Sequence, residues 1–137
     1  MKKNSKISVA LHALVHIAKS QHPLTSEQLA LCFNTNPVVI RRILGKLRKS
    51  GIVSSEKGHG GGWTMAMPYQ KVSFYDVYAS LEEELLPTNH SSTEKQCLIM
   101  KTLNQTMDGF LLEANNLLNQ KLKTIKLEQI INKVDEH

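Results

Sequence analysis

Residues 37–51, "PVVIRRILGKLRKSG", constrain this 137-residue chain more than any other stretch. Ile40, Ile43, Leu44 and Leu47 fall at i, i+3, i+4 and i+7, which puts one apolar stripe on a helix. Arg41, Arg42, Lys46, Arg48 and Lys49 take the remaining positions. Asn36 is placed to cap this helix, and Pro37 takes its first position, where a missing N–H costs nothing. Gly51 closes it. Just upstream, "TSEQLALCF" predicts a short helix over 25–33, with Thr25 and Gln28 as a capping box and Leu29, Ala30 and Phe33 as its buried side. "NTN" turns the chain, and Asn34 tolerates the left-handed conformation that ends a helix. Two short helices about a tight turn, the second one basic, have the form of a helix-turn-helix.

Four of the seven glycines follow directly, as Gly58, Gly60, Gly61 and Gly62 in "KGHGGGWTMAMP". A phosphate-binding loop would need a Gly-Lys-Ser/Thr ending that leads into a helix. Here Trp63 and Thr64 follow, and they suit a strand, as do Ile52 and Val53 before the glycines. The segment therefore predicts a β-hairpin whose tip is "GHGGG", since glycine accepts the turn conformations at no steric cost and lets backbone lie close to a surface. Beside a basic helix such a hairpin is a wing. Lys57 and His59 flank its tip, placed to reach phosphate or the minor groove.

Helix 1 is expected over 7–18, with Ile7, Ala10, Leu11, Leu14, Val15 and Ala18 apolar, and "QHPL" ends it. A fourth helix, "VSFYDVYASLEEELL", has Ser73 and Asp76 as its capping pair. A long helix is expected over 94–120. Its stripe of Ile99, Leu103, Met107, Phe110, Leu111, Ala114, Leu117 and Leu118 finds nothing in the first 85 residues to cover it, so a symmetric dimer is expected. "TIKLEQIINKV" predicts a terminal helix. The fold class is mainly α with a small β-hairpin wing: a winged helix-turn-helix over 1–85, a dimerisation helix over 94–120, and a C-terminal helix within 121–137 packing on the dimer.

Hydrophobic residues make up 41% and aromatic residues 5% of the chain, so the core must be aliphatic. No run reaches the roughly 20 apolar residues of a membrane span. The N-terminus starts like a signal peptide, but His12, His16 and Lys19 break the apolar run; a cytoplasmic protein without membrane contact is expected. The net charge of +5 hints at a polyanionic partner. No Ser/His/Asp or Cys/His spacing argues for catalysis, so the chain reads as a non-enzyme.

"LRKSGIVSSEKGHGGGWTMAMP" resembles a stretch shared by the winged helix-turn-helix regulators that include IscR, NsrR and CymR. "VSFYDVYASLE", "ALHALVHIA" and "TIKLEQII" are similar to the helix after the wing, the first helix and the closing segment of that family. The resemblance implies a homodimeric bacterial transcription regulator, commonly a repressor, that binds double-stranded DNA at a near-palindromic operator. It places DNA-reading positions on Asn36, Val38, Val39, Arg41 and Arg42, with Lys57 on the wing; Lys46 and His59 complete the candidate set. Arg41 and Arg42 have two roles open to them, bidentate pairing with guanine or holding phosphate.

The iron–sulfur members of that family carry three cysteines between the fourth helix and the long helix. This chain has two cysteines in all, Cys32 and Cys97. Only Cys97 falls in that segment, and Met100 stands where one branch has histidine. A cluster needs about four ligands, mostly thiolates, so no cofactor is expected. Two readings of Cys97 stay open: a redox-sensing thiol near a helix start with Lys95 and Lys101 close by, or an inert remnant. A small-molecule effector or a protein partner are the other candidate inputs. Cys32, beside Leu31 and Phe33, is expected in the core. His12 and His16, one turn apart, are read as structural rather than metal ligands. His90 and Glu82–Glu84 read as solvated. The alternative function is a winged-helix interaction module that has lost tight DNA binding.

Overall fold

The computed structural model describes residues 5–56, 61–82, 86 and 97–137. Its centre is α1 (Lys6–Lys19), which packs against α2 (Ser26–Phe33), α3 (Pro37–Lys49), α4 (Phe74–Leu81), α6 (Leu127–Asp135) and strand β2 (Trp63–Met65). So central a helix is buried on more than one side. Val9, Ala13 and Ile17 join Ile7, Ala10, Leu11 and Leu14 in the core, beyond the single face expected.

The punctuation read from the sequence is present as hydrogen bonds. Thr25 Oγ1 accepts from Gln28 N–H at 3.1 Å, and the Gln28 side chain accepts from Thr25 N–H at 2.9 Å. Asn34 sits in the left-handed region at φ 53°, and Asn36 Oδ1 accepts from Val38 N–H at 2.9 Å. Ser73 and Asp76 form the second capping box, at 3.1 and 3.0 Å. Ile40, Ile43, Leu44 and Leu47 are buried, and Gly51 leaves α3 at φ 80°.

Strand β1 (Val53–Ser55) pairs antiparallel with β2, Ser54 opposite Thr64. Ile52 lies just before β1 in the core, its carbonyl accepting from Ala66 N–H at 3.0 Å. Lys57, Gly58, His59 and Gly60 lie outside the described residues. The fourth helix is shorter than expected: it stops at Leu81, where Glu82 turns left-handed at φ 55°. Glu83 and Glu84 are outside the described residues.

Helix α5 (Leu98–Thr124) has 27 residues and starts after Cys97, which holds the N-cap position without a side-chain capping bond. It ends four residues beyond the expected limit, while positions 94–96 lie outside the described residues. The chain then returns to the domain. Phe74 N–H donates to the Ile125 carbonyl and Leu127 N–H to the Val72 carbonyl, both at 2.9 Å. Leu127 and Ile131 of α6 enter the core, and Lys19 pairs with Asp135. Thus α6 packs on α1 and on the 3-10 turn Tyr69–Lys71 of its own chain.

Cys32 is exposed, which corrects its expected place in the core. The buried face of α2 is Ser26, Leu29 and Ala30. So short a helix on the surface has one inward face, and position 32 falls outside it.

Candidate nucleic-acid interface

Helix α3 carries its cations around a buried aliphatic stripe, and their partners sort them. Arg41 is ion-paired with Glu27 of α2. Arg48 donates to Ser55 Oγ at 3.0 Å and lies 5.8 Å from the centroid of the Trp63 ring, within cation–π range. Lys46 is half-buried and donates to the Leu81 carbonyl at 3.4 Å. Arg42 and Lys49 are exposed, with no partner among the described residues. A groove of about 510 Å³ runs along this face, with Val39, Ile43 and Gly45 in its lining beside the cations of α3 and Lys6. Lys6, on the first turn of α1, is a residue the sequence reading does not single out; its signal is the basic start of the chain.

The first turn of α3 is apolar where it meets solvent. Val38 is 45% and Val39 38% exposed. Asn36 is exposed too, but its side-chain oxygen is engaged in the cap.

The wing is fastened to the helices by its second strand. Trp63 N–H donates to the Leu24 carbonyl at 2.7 Å, and Leu24 N–H returns a bond to the Trp63 carbonyl at 3.2 Å. The Trp63 indole N–H donates to buried Ser26 Oγ at 3.0 Å. Gly62 makes this approach feasible, because a Cβ there would stand 2.8 Å from both the carbonyl carbon and the oxygen of Leu24. At least this glycine serves backbone contact beside the strand. Gly61 joins Gly62 in lining a recess of about 280 Å³, shared with Glu27, Arg41, Glu56 and Trp63.

Among the described residues no iron–sulfur ligand set is gathered. The two cysteines sit on α2 and at the start of α5, both free and exposed. Among the described residues no three His, Cys, Asp or Glu side chains gather as a metal site. A cluster takes about four ligands, mostly thiolates. His12 and His16 lie tilted against Phe33, with centroids 4.2 and 5.8 Å from its ring. Among the described residues no helix is long and apolar enough to cross a membrane.

On α5 five of the eight stripe residues face solvent, while Leu111, Ala114 and Leu118 are half-buried. Ile99, Leu103, Met107, Phe110 and Leu117 are all more than half exposed, and Leu122 is the one buried residue of the helix.

Known proteins share this architecture. YwnA of Bacillus subtilis (strain 168), assigned by name to the HTH-type transcriptional regulators, is 28% identical over 130 residues, covering 94% of this chain and 96% of its own. CymR (YrzC), the global cysteine regulator of B. subtilis, superposes with a TM-score of 0.66 at 18% identity, covering 97% of this chain and 98% of its own. IscR of T. potens gives 0.68 at 18% identity, over 99% and 90%. These two structures show the fold. The model of the Rrf2 family, described as iron-dependent transcriptional regulator, matches residues 3–133, and the chain belongs to that family.

Proposed function

We propose that this protein is a DNA-binding repressor that grips a near-palindromic operator as a homodimer, with no iron–sulfur cluster. The observation that carries this reading is the exposed cationic face of α3, held beside a wing that Trp63 fastens to α2. A helix of this kind enters the major groove with its first turns at the base edges, while flanking cations hold phosphates. The exposed stripe of α5 supports the dimer, because a second copy would cover it. Two-fold symmetry then spaces the half-sites about one helical turn apart. The donor set supports the absence of a cluster, so the control input is sought elsewhere. Cys97, exposed at the head of α5, is the thiol to examine, beside a ligand or a protein partner.

The test is fluorescence anisotropy with DNA from upstream of the protein's own gene, across a salt series, with thiols reduced or mildly oxidised. Several phosphate contacts give an affinity that falls steeply with salt. Weak, salt-insensitive binding would instead favour the interaction module. Loss of binding on oxidation, absent in Cys97→Ser, would make Cys97 the sensor.

A further inference from the structure

Resting on the DNA-binding reading above, we infer that Val38 and Val39 read the 5-methyl group of thymine, so that the half-site carries thymine under the first turn of α3. Three observations converge on that turn. Its polar reader, Asn36, already accepts from Val38 N–H, so pairing with adenine through the same oxygen would compete with the helix cap. The guanidinium of Arg41 is drawn aside to Glu27. What the turn presents is then two adjacent isopropyl groups, 45% and 38% exposed, ahead of Arg42, which has no partner among the described residues.

Helix stability does not account for valine there. β-Branched residues are poorer helix formers than alanine, and both side chains keep more than a third of their surface in water. Solubility does not account for them either, on a face otherwise rich in cations. In the major groove, thymine is the base that offers an apolar group, and apolar side chains contact it there. The contact shields a methyl group from water on both sides and carries sequence information that lysines on phosphate cannot.

The experiment starts from a duplex library with a randomised centre, from which the full-length protein selects its sites. In the selected duplex, each thymine is replaced in turn by deoxyuridine, which removes the methyl group and leaves the base pair unchanged. The same scan is run on Val38→Ala/Val39→Ala, with its fold checked by circular dichroism. The expected result is one or two thymines per half-site where deoxyuridine weakens wild-type binding about fourfold, the worth of one buried methyl. In the double variant that penalty shrinks towards none. An enriched duplex in which no deoxyuridine weakens binding overturns this inference alone, as does an equal penalty in both proteins. A library in which nothing is enriched overturns the DNA-reading proposal with it.

Discussion

The indole N–H of Trp63 donates to the hydroxyl of Ser26 at 3.0 Å, and both residues are buried. One residue opens α2 and the other opens the second strand of the wing. The bond therefore sets where the wing stands relative to the helix-turn-helix. Ser26→Ala leaves a buried donor without its partner, which costs about 1–3 kcal/mol. At fixed protomer concentration, urea unfolding followed by far-ultraviolet circular dichroism should show a lower midpoint and an unchanged slope. An unchanged midpoint would mean that Leu24 alone seats the strand.

Two glycines should respond to alanine with opposite signs. Gly62→Ala drives a methyl to 2.8 Å from the Leu24 backbone, where no side chain can swing away. Overpacking of this kind costs about 1–3 kcal/mol. Gly45 lies within α3, and a methyl added there would meet nothing within 4 Å. Gly45→Ala should stabilise the protein by about 0.5–1 kcal/mol through helix propensity alone. The same thermal or urea unfolding assay reads both, and like-signed effects would refute the assignment.

Glu27 should restrain Arg41, while Arg42 does the contacting. The Glu27–Arg41 pair is exposed, so Glu27→Gln should change stability by less than about 1 kcal/mol. It frees Arg41 and removes a negative charge beside the surface proposed to face DNA. Affinity for random duplex should rise, and the slope of log K against log salt should steepen by about one ion. Arg42→Ala should cost about 1–3 kcal/mol on the selected site and little on random DNA if it reads guanine. Equal losses on both would make it a phosphate contact.

His12 gives stability a pH dependence of defined sign. Partial covering of this otherwise exposed ring, and then the nearby His16, lower its pKa below the ordinary value of 6.5. The folded state thus resists a proton that the unfolded chain accepts. Stability is complete above about pH 6.5 and declines as pH falls through the lowered folded value. The midpoint in urea should drop between pH 7.5 and pH 5 by more in the wild type than in His12→Gln. An NMR titration of the His12 ring at or above 6.5 would overturn the assignment.

Local grammar is readable because local chemistry sets it. Thr25 with Gln28, Asn34, Asn36, Pro37 and Ser73 with Asp76 each satisfy or end a helix within four residues, and each takes the role its type predicts. The buried stripe of α3 follows from spacing. What is not readable depends on distant partners. Cys32 reads as core because its neighbours are apolar, yet which face of α2 is buried is decided by α1 and α3. The pairing of Arg41 with Glu27 spans 14 positions, and the meeting of Gly62 with Leu24 spans 38; no periodicity in the chain carries either. Lys6 reaches the groove of α3 only through the packing of α1.

The exposed stripe of α5 should be the dimer seam. Phe110 is 64% exposed and Leu112 63%, so exposure alone does not tell them apart. Their directions do. Two residues apart on a helix is about 200° of rotation, so Phe110 lies on the stripe with Leu103, Met107 and Leu117 while Leu112 points away from it. Phe110→Asp should convert a dimer to a monomer in sedimentation velocity. Its affinity for a two-half-site duplex should fall about 100-fold or more, because the second half-site is no longer delivered by the first. Leu112→Asp should stay dimeric and bind as the wild type does. If both variants remain dimers, the seam lies elsewhere; if both dissociate, the interface is broader than one stripe.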